Sequence, residues 1–417
     1  MRLLYILVPF FAIIAAYFYI NSTNSVEIKN SISRFDYQEQ KHQAYKYLNR
    51  IREAIGLSTL KNNSNLTKAA QGHANYLVAN KESSHFEKKG FKNFIGERLV
   101  DRTLVSDYKS TTVSENLSTN IKDAKDSIKE LFSAIYHRLD FLSPKIDSVG
   151  IGVAQDKNQT SNNAFVYVMG NSNLEELCRG KSFNVNDKYY FNLCKDKNLR
   201  VPKDIYDNSI NSLKMFSTKI ICYPYDNQKD VSPVFYEESP DPLPNMSVSG
   251  FPISVEFNDY YFKDVKVKSF KLFDINNNLV KSIFMDKNSD PNRLFKANQY
   301  ALFPLNRLEF NSEYRVELKY IADGKEFTKE WKFKTIKPKG RIHKIPENEA
   351  TLYLTKNSDY ILYFPPKNGK DLMKDIVFPS DLNIDFFDHN TIQIGAIKDS
   401  DEFTIKSDTR KIHIVVQ

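Results

Sequence analysis

The spacing of apolar residues changes character partway along this chain, and that change limits the fold more than any other feature. From Tyr37 the spacing is helical. Ala44, Leu48, Ile51 and Ile55 fall on one face, and Gly56 stops the run. A second helix is marked by Leu66, Ala69, Ala70, His73, Ala74 and Leu77, and a third by Ala124, Ile128, Leu131, Phe132 and Ile135. Two short strands follow, Val149 to Ala154 and Phe165 to Met169. From about residue 217 only strand patterns remain. Val265 and Val267 alternate with lysines, and Tyr314, Val316, Leu318 and Tyr320 repeat with period two. Asp323-Gly324 marks a tight hairpin whose return strand opens with Trp331 and Phe333. Helices first and strands after predict an α+β chain. Its expected parts are a layered α-β-α domain over 37–172, a linker over 173–215, an immunoglobulin-like β-sandwich over 216–337 and a small C-terminal β module over 338–417.

The 417 residues allow two or three domains at about 150 residues each. Glycine is scarce, 13 in all, and neither GxGxxG nor GxxxxGK[ST] occurs, which excludes the common nucleotide loops. The net charge of +8 is spread along the chain without a basic aromatic patch, so no nucleic-acid partner is expected. Arg2 precedes an uncharged run, Leu3 to Ile20, long enough for about 27 Å of helix. The first 24 residues therefore read as a cleaved signal peptide or an uncleaved signal anchor, which in the second case holds the protein in the cytoplasmic membrane through residues 3–20. Both place the remainder outside the cytoplasm, extracellular or periplasmic, with Asn21 to Phe35 as a polar tether. No cysteine lies near the run, which excludes a lipoprotein. Of the three cysteines, Cys178 and Cys194 are expected to form a local disulfide, worth about 3 kcal/mol for a loop of this length. Cys222, beside Ile220 and Ile221, is the odd thiol and reads as buried.

The seven histidines are at 42, 73, 85, 137, 343, 389 and 413. His343 and His413 alternate with apolar neighbours as solvent-facing strand residues do. His389 lies in a polar loop, and His42 on the polar side of the first helix. His73 shares the apolar face of the second helix and reads as a satisfied core residue. His85 follows Ser83-Ser84, Glu115 lies in Val-Ser-Glu-Asn-Leu, and His137 lies in Ile-Tyr-His-Arg-Leu at the end of the third helix.

Taken in order, these pieces resemble the CAP superfamily, the SCP-like cysteine-rich secretory, antigen 5 and pathogenesis-related proteins, in its bacterial form. The resemblance runs from about residue 40 to 172. Leu48-Asn49-x-x-Arg52 through Gly56-Leu57 is similar to the opening helix, and Ser84-His85 to the first cavity histidine. Asp101-Arg102, Tyr108 and Ser114-Glu115-Asn116-Leu117 resemble the segment that follows. Tyr136-His137-Arg138 and Val149-Gly150-Ile151-Gly152 resemble the last motifs. Tyr223 to Gln228, Phe235 to Glu238, Ala301 to Pro304 and Trp331-Lys332-Phe333 look like the Ig-like module that follows some bacterial CAP domains.

The resemblance implies an α-β-α sandwich with an open cleft lined by two histidines and one or two glutamates. His85, Glu115 and His137 match three of the four. The fourth, a glutamate after the family's helix tryptophan, has no match: Leu131 stands at the tryptophan place and Ala134 at the glutamate place, with Glu130 on another face. Two neutral imidazoles, His85 and His137, would hold a divalent metal such as Zn²⁺ weakly, because structural zinc takes four protein ligands and catalytic zinc three. Glu115 is open to three roles: ligand, orienting group or general base. The preferred reading is an exported or membrane-anchored binding protein whose cleft takes a small ligand or a divalent metal, the ligand being a lipid or another envelope component. The alternatives are a metal- or Glu/His-assisted hydrolase of peptides or envelope polymers, and a non-catalytic structural envelope protein.

Overall fold

The first helix, α1 (Tyr37–Ile55), starts where the Asp36 side chain accepts from the amides of Gln38 and Glu39. It ends at Gly56, whose φ of 85° is left-handed. The computed structural model describes residues 25–27, 32–180, 182–184, 188–373, 375–380, 382–395, 397 and 402–417. The apolar run Leu3 to Ile20 lies outside them, so the signal or anchor reading is not described. Among the described residues no helix is long and apolar enough to cross a membrane.

The chain divides into two compact units. The larger holds Ser31–Pro244 and Ser249–Ile336. Its first half is built on a sheet ordered β2-β4-β5-β3, from β2 (Lys61–Asn62), β3 (Val113–Thr119), β4 (Ser148–Gln155) and β5 (Asn163–Gly170). Period two sorts the sheet's side chains. Val149, Ile151, Val153, Phe165, Tyr167 and Met169 face Ala44, Leu48 and Ile51 of α1 and Ile128, Leu131 and Phe132. Ala164, Val166 and Val168 face Leu66, Ala70, Ala74 and Leu77 of α2 (Ser64–Asn80). The result is an α-β-α sandwich. Gly150 and Gly152 let α2 lie close on β4, because a Cβ on Gly152 would stand 2.2 Å from the Ala70 carbonyl oxygen.

Three local expectations need correction. The third helix is two helices, α4 (Ala124–Ser133) and α5 (Ile135–Phe141), broken at Ala134, whose ψ of 119° is extended. His137 therefore sits in the first turn of a new helix, not at the end of an old one. A further helix, α3 (Leu99–Val105), carries Asp101 and Arg102. About half of the supposed linker is regular. It contains α6 (Ser172–Leu177), a small hairpin of β6 (Tyr189–Tyr190) and β7 (Val201–Pro202), and α7 (Lys203–Met215). Only Ile210 among the apolar residues of α7 is buried, so its apolar stripe is too thin to stand out as periodicity. A disulfide joins Cys178 to Cys194, with their Cα atoms 5.2 Å apart.

The second half of this unit packs two four-stranded sheets around one core. One is ordered β14 (Ser282–Met285), β15 (Gln299–Pro304), β12 (Ile253–Phe257) and β8 (Ile220–Tyr223). The other is β13 (Val265–Phe273), β16 (Glu313–Ala322), β17 (Lys325–Thr335) and β9 (Gln228–Val231). Phe257 of the first meets Tyr320 of the second at 4.9 Å between ring centroids. Asp323 and Gly324 both take positive φ, 47° and 81°, as a two-residue hairpin turn with this twist requires. Cys222 on β8 is buried and free, and burial pushes its thiol up to about 12. The proline-rich stretch 240–244 lies between β10 (Val234–Tyr236) and β11 (Val248–Gly250).

The smaller unit holds Asn245–Val248 and Lys337–Gln417. Its sheets are β1 (Ser25–Glu27), β21 (Val377–Pro379), β24 (Glu402–Lys406), β25 (Lys411–Val416) and β19 (Glu349–Leu354), and β18 (Arg341–Lys344), β20 (Tyr360–Tyr363), β23 (Thr391–Ile394) and β22 (Ile384–Asp388). Part of the supposed tether is thus a strand. Ser25–Glu27 pairs antiparallel with Val377–Pro379, and edge pairing through the backbone leaves no apolar pattern to read.

Gly152→Ala is expected to destabilise the protein by about 1–3 kcal/mol through overpacking against α2. Urea unfolding of the full chain, followed by far-UV circular dichroism, checks this.

Candidate functional site

The site is built on α3, β3, α5 and the loop after α2. Glu115 lies on β3 opposite Val168 of β5, which fixes its side chain on the α2 side of the sheet. Its carboxylate accepts from both faces. Arg102 Nη2 donates to Oε1 at 2.9 Å and to Oε2 at 3.0 Å, and His85 Nδ1 stands 3.0 Å from Oε1. Burial alone would raise this carboxyl. The His85 hydrogen bond and the charges of His73, Arg102 and His85 outweigh burial and hold it below the ordinary carboxylate range. Arg102 is wholly buried and also donates to the carbonyls of His85 and Glu97, at 3.1 and 3.3 Å. It therefore fixes both the carboxylate and the backbone that carries His85.

His73 is the satisfied core histidine that its position on α2 suggested. Its Nδ1 meets Glu87 at 2.9 Å and its Nε2 meets the Ser84 carbonyl at 3.0 Å. Glu87 is buried and also accepts from the Ile95 amide at 2.7 Å. Both nitrogens of His73 are thereby committed, and the ring braces the loop that presents His85.

His137 reaches the same place from α5. The His85 and His137 rings lie 6.3 Å apart between centroids, 24° from parallel. Its Nδ1 stands 3.0 Å from Oε2 of Glu238, a residue just past β10 and 101 positions along the chain. The Glu238 side chain is only 3% exposed. Its two oxygens also accept from the amides of Ile135 and Tyr136 at 2.6 and 3.3 Å. These amides open α5, whose own N-cap, Ala134, has no side chain that can cap. Glu238 thus explains why the helix breaks and restarts at Ala134. Burial raises its carboxyl, against the hydrogen bond and charge of His137 and the two amides.

The structure therefore brings His85, Glu115 and His137 together and leaves the place at Ala134 without a carboxylate. Leu131 is in the core, and Glu130 is exposed on α4. The second carboxylate comes from Glu238, which the sequence marks only as part of the segment that resembles the Ig-like module. Asp140, one turn after His137, was also missed. Burial raises its carboxyl while the charges of Lys296, His137 and His85 pull it down. Of the remaining histidines, His343, His389 and His413 belong to the smaller unit. His42 is exposed, and His343 and His413 are half-buried on β18 and β25. A separate hollow of about 610 Å³ beside the disulfide is lined by Lys109, Arg179, Lys195 and Asp196. Its cations are already paired with Asp107 and Glu175, and it holds none of the histidines.

Residues 45–171 match the model of the cysteine-rich secretory protein family, CAP. The chain carries a CAP domain in that segment. Solved structures similar to it include the following three. An outer surface protein from Borrelia burgdorferi is 18% identical with a TM-score of 0.29, over 34% of this chain and 98% of that one. An extracellular protein containing an SCP domain from Bacillus anthracis is 17% identical with a TM-score of 0.27, over 33% of this chain and 44% of that one. A cysteine-rich secretory protein from Staphylococcus aureus is 19% identical with a TM-score of 0.26, over 34% of this chain and 40% of that one. The chain thus spans nearly the whole of the first and less than half of the other two. No curated protein matches it.

Glu115→Gln removes the carboxylate that Arg102 bonds at 2.9 and 3.0 Å and leaves it only the more distant Glu87, 3.9 Å from Nε, so a loss of about 3 kcal/mol is expected at neutral pH. Glu115 is held below its ordinary value of 4.5, so the stability it contributes is present above that pH. That contribution fades as pH falls through the lowered value. The gap between wild type and variant in urea titrations should therefore narrow below pH 4.5; a gap that widened there would contradict the assignment.

Proposed function

We propose that this is an exported CAP-domain binding protein whose His85 and His137 together hold a small ligand or a divalent metal ion. One observation carries the reading: each ring has its Nδ1 on a buried carboxylate, and neither Nε2 has a hydrogen-bond partner among the described residues. A carboxylate that accepts from Nδ1–H leaves the lone pair on Nε2, the form in which imidazole binds a metal. His85 and His137 keep 43% and 16% of their side-chain surface exposed, so the pair is open to solvent.

The donor set fits a weakly held ion. Glu115 and Glu238 point at the Nδ1 atoms, so they stand behind the imidazoles rather than beside an ion. Among the described residues no three His, Cys, Asp or Glu side chains are grouped to hold a metal. His85 and His137 would supply two positions, leaving the rest to water or to a donor from the ligand. Such a metal would supply an electrophilic anchor for an oxygen or nitrogen of the bound molecule. The commitment of Glu115 to Arg102 and His85 leaves it poorly placed to take a proton from water, which favours binding over hydrolysis. Export rests on Arg2 and the apolar run after it, and an envelope component such as a lipid is the class of ligand we assign.

Isothermal titration of the full chain with Zn²⁺ or Co²⁺ tests the reading. One ion per chain is expected, with binding lost in His85→Ala and in His137→Ala. Equal binding by the double variant, or none by the wild type, would refute the metal reading.

A further inference from the structure

We propose that Glu238, carried by the segment just past β10 in the β-rich half of the unit and not by the CAP domain, is the positioning residue that sets the tautomer and aim of His137. The ligand-holding pair is then assembled from two modules. This rests on the reading that the two Nε2 atoms hold the ligand, but the tautomer itself does not depend on it.

Four consecutive residues of the CAP domain are held by the β-sandwich side of the unit. The Ile135 amide and the Tyr136 amide donate to Glu238. The Tyr136 hydroxyl bonds Asp290 and accepts from Asn292. His137 Nδ1 meets Glu238. The Arg138 guanidinium donates to the Pro252 carbonyl at 2.6 Å and reaches the Ser254 hydroxyl at 3.3 Å. No residue in this stretch can turn without breaking a bond to the second module.

The hydrogen-bond chemistry decides the tautomer. A carboxylate has acceptor sites enough for three donors and offers no hydrogen of its own. Nδ1 of His137 must therefore carry the hydrogen, and in the neutral imidazole the lone pair is on Nε2. His85 reaches the same state through Glu115, a residue of its own domain. Two carboxylates thus orient the two imidazoles, and the one behind His137 comes from a residue 101 positions away in the chain. A carboxamide at position 238 whose oxygen keeps the shorter bond from the Ile135 amide gives up the Tyr136 amide and turns its NH₂ toward Nδ1. That geometry favours hydrogen on Nε2 and removes the lone pair from the cleft. Side chains in this supporting role typically change metal affinity 10–100-fold when altered.

The experiment compares the full-length wild type with Glu238→Gln, Glu238→Asp and, as a control on the adjacent exposed residue, Glu237→Gln. Nitrogen-15 correlation spectra of the histidine rings read the tautomer, and titration with Co²⁺ reads affinity. Wild type and Glu237→Gln should show His137 with hydrogen on Nδ1, while Glu238→Gln shifts it to Nε2 and weakens Co²⁺ about 10–100-fold. His85 signals should stay unchanged in Glu238→Gln, which also reports that the CAP domain remains folded. Partial return toward wild type in Glu238→Asp supports the carboxylate as the cause. A His137 tautomer that is the same in wild type and Glu238→Gln overturns the proposal. A tautomer shift without Co²⁺ binding to any of the proteins supports the positioning role and removes only the metal reading above.

Discussion

A guanidinium with no solvent exposure joins the two halves of the larger unit. Arg138 donates to the carbonyls of Phe132 and Pro252, both at 2.6 Å, one in its own domain and one in the β-sandwich. Its plane lies over the rings of Tyr223 and Phe251, at 5.0 and 4.7 Å from the ring centroids. Burial lowers its pKa to about 10, still far on the charged side of neutrality. A buried charge is tolerated only when its donors are satisfied, so the β-sandwich must dock where these acceptors are. That docking delivers Glu238 to the residue next to Arg138, and the cleft follows from it.

Buried arginines serve elsewhere in the CAP domain as well. Arg52 of α1 donates to the carbonyls of Ser58, Phe141, Ser143 and Ile146, gathering the end of α5 and the loop before β4 onto the first helix. Arg102 gathers Glu115 and the backbone around His85. The segment 45–171 contains no cysteine, and the disulfide lies beyond it at Cys178–Cys194. Each arginine ties loops that a sheet cannot reach, while the two apolar faces of the sheet hold the layers. Directional bonds place the loops, and area burial supplies most of the cohesion.

The layers were legible because burial leaves a period in the sequence. Ala44, Leu48 and Ile51 repeat as a helix does, and Tyr314 to Tyr320 alternate as a half-buried strand does. Gly56 and Asp323-Gly324 were legible for another reason: few residues tolerate positive φ. His85, Glu115 and His137 were found as a motif with a characteristic order. Less was readable where cohesion is not periodic. The helix break at Ala134 has no proline or glycine to announce it, because its cause is a carboxylate 104 positions further on. The strand Ser25–Glu27 pairs through its backbone, and the helix Lys203–Met215 buries only Ile210 among its apolar side chains, too few to leave a pattern.

By itself, then, the sequence determined the layered CAP sandwich, the β-rich remainder, the cysteine pair and three residues of the cleft. The layers and strands follow from local preferences and periodic burial, which neighbouring residues record, and the three cleft residues from the resemblance of their motifs to the CAP family. Only the tertiary structure decided which carboxylate orients His137, where α5 begins and which nitrogen each imidazole presents. Those outcomes depend on hydrogen bonds between residues about a hundred positions apart, and a polar contact of that range leaves no trace in the spacing of either partner.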